Sequence, residues 1–321
     1  MLEKTKPAIP VEHVLCPDCG ADDFVIVAEG PDYDNHCCGD QTFTLAQCNR
    51  CKTYYLNPRP TVETLSIIYS QEEYYSYSFE DEGNSIVLKA RQRRDQQKIA
   101  QVLQILGKPA AQTRVMDIGA GDGALLRAFA ASGVPNENLY AVELEQGAVE
   151  ALEKKGFRGV LGRAEELDFP DGSFDVVAMI QVIEHVADPK DVMRNLHRIL
   201  SPGGVFLIET PNMNAWDRRF FPKETWGVYH FPRHWTLFNR ESITRMLNEV
   251  GFDVAHFSTP AAAVVWTWSM NHVAQKHRWP KFWQRFFSLS SPLALGIFWA
   301  VDMIPSLLGQ SAGMRVIAKK R

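Results

Sequence analysis

Short apolar runs alternate with stretches whose apolar positions recur every three or four residues through the middle of the chain. Val115-Met116-Asp117-Ile118 reads as a short buried strand, and Leu139–Val142, Gly159–Leu161, Phe174–Ile180 and Val205–Ile208 as further short strands. Helical spacing begins at Ala124, follows Glu143 as far as Lys155, and places Val192, Leu196, Ile199 and Leu200 on one face of Pro189–Leu200. Strands alternating with helices in this way predict an α/β fold around a parallel sheet. Gly251–Phe257 and Met314–Ala318 read as two further strands, with some fifty residues between them where a hairpin needs only a few. Ahead of this core, Phe24–Val27 and Phe43–Ala46 predict a β-hairpin, which Pro58 and Pro60 should end. Thr61 then caps a short helix through Tyr69, the tyrosine-rich 71–79 suggests a lid, an acceptor wall or packing between lobes, and 85–106 predicts an amphipathic helix ending at Gly107.

The candidate chemistry gathers in residues 114–126, RVMDIGAGDGALL. Gly119, Gly121 and Gly123 fall where a strand must turn into a helix, and only a residue without Cβ takes φ > 0 there while leaving room for a ligand. Glu143 follows at the end of the next strand, about twenty residues on, where a carboxylate suits the two hydroxyls of a ribose. Asp117 and Asp122 place negative charge beside the bend, which favours the cationic sulfonium and amino groups of S-adenosylmethionine. The pattern Gly119-x-Gly121-x-x-Ala124 also satisfies the relaxed dinucleotide fingerprint, so an NAD(P)-dependent oxidoreductase stands as the alternative. In an α/β sheet the ligand crevice lies outside the carboxyl ends of the strands. That rule brings Ala164 and Glu165 to the adenine and Gln181 to the methionine half of the donor.

Composition narrows the partners. The 321 residues are 45% hydrophobic and 22% charged, an ordinary globular balance, and the net charge of −4 opposes a nucleic-acid binder that neutralises many phosphates. Two C-x-x-C pairs, Cys16/Cys19 and Cys48/Cys51, aim four thiolates at one point and predict a structural zinc ion in a reducing, cytoplasmic setting. A second ligand set at His36, Cys37 and Cys38 competes with the reading of that stretch as a loop tip. MLEKTKPAIP shows no apolar core that would mark a secretory signal.

DIGAGDG, YAVELE and AEELDFPDGSFDVVAMIQVIEHVADP together resemble the class I S-adenosylmethionine-dependent methyltransferases, closest to the ubiquinone-pathway O-methyltransferase branch. The resemblance implies a Rossmann-like seven-stranded methyltransferase sheet with helices on both faces and an antiparallel edge. It implies donor binding by Gly119, Gly121, Glu143, Ala164, Glu165 and Gln181. In that branch a similar E-x-x-E-H run holds a divalent cation; here Gln181 stands for the first acid, which weakens a magnesium site. The C-x-x-C ribbon followed by YLNPRP resembles a bacterial subgroup associated with cell-surface glycan and lipid pathways.

The domain plan is therefore a zinc-ribbon-like module over 1–60, a helical linker or lid over 61–109, the core over 110–258, an aromatic helical insertion over 259–312 and a final core strand over 313–321. His185 and His234 are the candidate catalytic residues; His185 suits a general base for a hydroxyl acceptor or a loop cap. In YHFPRHWTLF, Arg233 suits a phosphate or carboxylate and the two histidines a substrate wall or plain packing. The insertion carries five of the eight tryptophans. Its interleaved cations and aromatics over 276–309 fit either a helix lying in a membrane interface or an apolar lobe over the acceptor, and Asp302 with Pro305 opposes a spanning helix. The reading is a methyltransferase for a small-molecule acceptor, lipid- or glycan-linked, with O-methylation favoured. The other rival is a zinc-ribbon adaptor that keeps a nucleotide fold without catalysis.

Overall fold

The computed structural model describes residues 8–69 and 86–321; the tyrosine-rich stretch 71–79 and the start of the helix predicted from residue 85 lie outside them. The chain divides into two compact units. One combines the N-terminal residues through 74 with 210–244 and 258–315; the other combines 75–209 with 245–257 and 316–321.

The second unit is built on a seven-stranded sheet in the order Phe252–Ser258, Gly313–Lys320, Leu200–Pro211, Phe174–Ile180, Val115–Ile118, Leu139–Glu143, Arg158–Leu161. The last five are parallel neighbours. The central strands form because their runs are apolar on both faces, and Val115, Met116, Val176, Val177, Leu207 and Ile208 are fully buried, whereas the edge strand Arg158–Leu161 is largely exposed. One core cluster joins the sheet to the helices Ile86–Leu106 and Ala124–Ala131 through Ile99, Val102, Leu126 and Phe129. Ser201-Pro202-Gly203-Gly204, whose composition reads as a turn ahead of Val205–Ile208, lies within the strand Leu200–Pro211 as a register shift between Leu200 and Val205.

The first unit carries a four-stranded sheet in the order Thr236–Leu237, Tyr54–Leu56, Thr42–Cys48, Phe24–Pro31. The hairpin of the middle and outer strands is antiparallel, as the alternation predicts. The prolines end the ribbon less sharply than expected. Tyr54–Leu56 pairs as a third strand, and Arg59–Pro60 still pairs with Val11–Glu12, because so short a ladder at an edge makes little demand on the missing amide. Thr61 begins the following turn without a side-chain cap; Thr64 Oγ1 donates back to its carbonyl instead, at 2.7 Å. The insertion supplies three helices, Ala263–Lys276, Lys281–Phe286 and Pro292–Leu307. Asp302, read as a break in an apolar run, is fully buried and is a tie point. Its carboxylate accepts from Trp266 Nε1 at 3.2 Å, Trp216 Nε1 at 3.4 Å and the Ala262 amide at 2.8 Å, and from the Ser311 hydroxyl.

Candidate active site and metal centre

Parallel registry aligns the carboxyl ends of four adjacent strands in the second unit: Ile118 sits beside Val142 and Met179, and Glu143 beside Leu161. The chain leaves Ile118 through a bend in which Gly119, Gly121 and Gly123 all have positive φ, at 72°, 56° and 79°. Space is as restrictive as conformation: a Cβ on Gly119 would lie 2.6 Å from Val182 Cγ2. Glu143, 5% exposed, reaches across the bend and accepts the Gly121 amide on Oε1 at 2.5 Å. A carboxylate has room for several further donors, so a pair of vicinal hydroxyls fits the chemistry of this residue.

Asp122 is occupied locally. Its Oδ1 accepts the Ala124 amide at 2.9 Å and its Oδ2 pairs with Arg127 at 2.8 Å. The first helical amide, which a pyrophosphate would need, thus already holds a carboxylate. Asp117 is different: it is buried, and its Oδ1 has no hydrogen-bond partner. Burial first, then the charge of Glu143, push its pKa up to about 8 against a downward pull from Lys98. The arrangement is a buried acid short of a cation, which a cationic ligand would satisfy.

Sequence reasoning passed over Lys98, a lysine of the amphipathic helix Ile86–Leu106. Its ammonium is buried and sits 3.0 Å from Glu209 Oε1 and 3.3 Å from Asp95 Oδ1. No local pattern marks it. Gln181, exposed at the end of Phe174–Ile180, has φ of 56°, and its amide donates to the Glu209 carbonyl at 2.7 Å. Left-handed backbone at a non-glycine residue on a strand end is a strain often found at ligand sites. Ala164 is buried in the turn Ala164–Glu166, and Glu165 Oε1 accepts from the Ala187 amide and from Arg163, each at 3.1 Å. His185 is half-buried in the turn Ile183–His185, next to a fully buried Glu184.

In the first unit, the Sγ atoms of Cys16, Cys19, Cys48 and Cys51 all lie within 4.8 Å of one another, with Cys16–Cys51 at 3.4 Å and Cys19–Cys48 at 3.5 Å. Tetrahedral zinc thiolates stand about 3.8 Å apart, from a Zn–S bond of about 2.3 Å, so the four thiols suit that ion. The two knuckles are built alike. Gly20 and Lys52, each just past its pair, have φ of 70° and 62° and donate their amides back to Cys16 and Cys48.

Several other polar candidates of this unit are tied to partners within it. Arg233 is fully buried, and its guanidinium donates to both oxygens of Asp32, at 2.9 and 3.3 Å, and to the Ile68 carbonyl. It is therefore not presented to a phosphate. Burial raises Asp32, but the charge and hydrogen bonds of Arg233 outweigh it and hold the carboxyl below its usual range. Cys37 and Cys38 are buried beside this pair rather than at a loop tip, and the nearby guanidinium already meets the charge of Asp32. Asp34 binds two histidines, His230 Nδ1 at 2.7 Å and His272 Nε2 at 2.8 Å. The two imidazoles outweigh the cost of burial and keep Asp34 well below the usual carboxylate range. His234 is buried with its Nδ1–H donated to the Val228 carbonyl at 2.7 Å, which makes Nε2 its acceptor nitrogen.

Residues 90–256 match the family model of a methyltransferase domain. A probable S-adenosylmethionine-dependent methyltransferase of Mycolicibacterium smegmatis is 39% identical over 93 residues, 29% of this chain and 34% of that protein. A ubiquinone biosynthesis O-methyltransferase of Pseudomonas aeruginosa is 34% identical over 109 residues, 32% of this chain and 47% of that one, and its namesake in Psychrobacter arcticus is 30% identical over 174 residues, 52% and 59%. The match thus spans between about a third and three-fifths of these curated relatives. Among solved structures, a candidate sarcosine dimethylglycine methyltransferase from Galdieria sulphuraria superposes with a TM-score of 0.52 at 17% identity, covering 73% of this chain and 88% of that one. It shares the fold.

Proposed function

The chain belongs to the methyltransferase-domain family, and from that premise we propose that it transfers the methyl group of S-adenosylmethionine to a hydroxyl of a small-molecule acceptor. The observation that carries the reading is Glu143, a strand-end carboxylate held across a glycine bend by the Gly121 amide. In this reading Glu143 binds the ribose hydroxyls, and Gly119 and Gly121 leave space for the nucleoside. Ala164 and Glu165 meet the adenine, while Asp117 and Gln181 face the cationic methionine half. The donor supplies an already reactive sulfonium, so the protein's part is mainly to hold both partners in line. His185 takes the proton of the acceptor hydroxyl as its oxygen forms the new bond; His234, with Nε2 as acceptor nitrogen, is the second candidate for that role.

The ubiquinone-pathway relatives support O-methylation. The aromatic insertion supports an apolar, lipid- or glycan-linked acceptor, met at the inner face of the cytoplasmic membrane. Cys16, Cys19, Cys48 and Cys51 hold a structural zinc ion, stabilising a small sheet with little apolar core of its own. Gln181 in place of an acid weakens a divalent-cation site beside the acceptor.

The test is calorimetric titration with S-adenosylmethionine and NAD, followed by mass spectrometry of hydroxyl-bearing lipid and glycan extracts incubated with isotopically labelled donor. The expected result is binding of S-adenosylmethionine alone, labelled ether products, and donor binding weakened at least about 100-fold in Glu143→Ala, the loss of two hydrogen bonds to a charged group. NAD binding without S-adenosylmethionine binding refutes the reading, and so does an unaltered phenotype in a Glu143→Ala strain, which is what a non-catalytic adaptor predicts.

A further inference from the structure

The helix Pro292–Leu307 has its polarity reversed. The side facing the first unit holds buried Ala294, Asp302 and Pro305, with Asp302 gathering two indoles, an amide and a hydroxyl. Phe298 stacks on Trp266, with ring centres 5.8 Å apart, and meets Phe287 at 6.1 Å. The side facing outward is a stripe of Leu293, Ile297, Val301, Ile304 and Leu308, spaced i, i+4, i+8, i+11 and i+15, with Leu307 beside it. Ile304 is 68% exposed and Leu307 81%. A surface helix of a globular protein turns such a stripe inward, and contiguous exposed apolar area marks a docking surface. Phe287 joins this helix to Lys281–Phe286, where Phe282 is 69% exposed and Trp283 stands half out.

Charge identifies the occupant. From Ala263 to Gly309 the acids number one, Asp302, and it is buried; the cations are Lys276, Arg278, Lys281 and Arg285. Four cations less one acid make this segment +3 in a chain of net charge −4. Lys276 pairs with Glu224, and Arg278, Lys281 and Arg285 are exposed without a carboxylate partner among the described residues. A second copy of the chain would bring the same cations face to face across a two-fold axis. A surface of anionic headgroups meets them with opposite charge, while tryptophan beside lysine and arginine is the composition of the headgroup layer.

We propose that the outward stripe of Pro292–Leu307, with Phe282 and Trp283, docks in plane on an anionic lipid surface, with Arg278, Lys281 and Arg285 against the headgroups. A 16-residue helix is about 24 Å long, and among the described residues no helix is long and apolar enough to cross a membrane, so the contact is interfacial. This inference stands apart from the methyl-transfer reading: a chain that binds vesicles and no donor keeps the one and sinks the other.

The experiment is vesicle flotation of the full chain with phosphatidylcholine alone and with phosphatidylcholine mixed with phosphatidylglycerol, alongside light scattering without lipid. The chain should float with the anionic vesicles, at least about tenfold more tightly than with neutral ones, and lose that preference in high salt. Ile304→Glu combined with Leu307→Glu should abolish flotation with melting temperature and donor binding unchanged, since both side chains face solvent. Lys281→Gln and Arg285→Gln should each weaken binding to the anionic vesicles about fivefold. Flotation that persists in the double glutamate variant, equal binding to both vesicle types, no flotation at all, or a lipid-free dimer that the glutamates dissociate would each overturn the proposal.

Discussion

Donor affinity should rise with pH through the neutral range, because the donor's positive half is attracted to Asp117 only when that carboxyl is ionised. Burial and the neighbouring Glu143 place its pKa at about 8 in the free protein, Lys98 pulling the other way. At pH 7 about one Asp117 in ten is then charged, and binding is about tenfold weaker than at full ionisation, or about 1.4 kcal/mol. The sign follows from proton counting. The free protein carries a proton that the complex gives up, so log affinity climbs by up to about one per pH unit and levels off above about pH 8. The same shift acts on stability: the folded pKa exceeds the unfolded value of about 3.9, so this residue's contribution is complete below that value and fades as pH rises through 8. Between pH 7 and 9 the free protein should lose about 1.4 kcal/mol from this residue. Isothermal titration from about pH 6 to 8, in two buffers of different ionisation enthalpy, measures both affinity and protons released. The donor's own ammonium titrates identically against Asp117→Asn, so the difference between the two proteins isolates the carboxyl. Affinity that is flat over this range, or a slope that Asp117→Asn reproduces, refutes the reasoning.

Gly119→Ala should prevent donor binding and cost about 2 kcal/mol of stability, since φ of 72° disfavours an L side chain and the new Cβ meets Val182 at 2.6 Å; donor titration and thermal melting check both parts, and wild-type values refute the steric argument. Elemental analysis should find one zinc per chain, and chelation, or Cys48→Ser, should unfold the ribbon while leaving donor binding within about twofold. Circular dichroism and hydrogen exchange over 8–60 report the first effect, and unchanged protection there without metal would refute it. Asp32→Asn should destabilise the first unit by about 3–5 kcal/mol, because it removes the carboxylate with which the buried guanidinium of Arg233 forms its ion pair; a urea midpoint equal to wild type would show that the ion pair contributes nothing.

The glycine bend and strand-end acid of the proposed donor site were legible because their requirements are local. A buried strand, a glycine bend that demands positive φ, and an acid ending the next strand are all written within some thirty residues, so an apolar run and a few residue types suffice to find them. Val115–Ile118, Leu139–Glu143, Arg158–Leu161 and Phe174–Ile180 formed where their apolar runs lay. Lys98 shows the limit. It meets Glu209 across 111 residues, and nothing in the helix around it distinguishes a buried ammonium from the solvated lysines that helix faces ordinarily carry.

The first unit was hard to read for a physical reason that also explains the misassigned residues. Its first two parts are separated by residues 75–209, so pairing such as Tyr54–Leu56 with Thr236–Leu237 leaves no periodic trace. The unit is assembled from short segments, and long-range polar ties join them alongside the buried Tyr55, Trp226 and Phe238. Asp34 holds His230 and His272, Asp32 holds Arg233, and Asp302 holds Trp216 and Trp266, across separations of 36 to 238 residues. Histidine and arginine among aromatics look like ligand-handling groups because catalysis and folding draw on the same donors. The distinction lies in the partner and the place: Arg233 has its carboxylate inside the protein, whereas Asp117, which like Glu184 and Asp217 has one buried oxygen without a hydrogen-bond partner, is the one of the three that sits on the strand leading into the glycine bend.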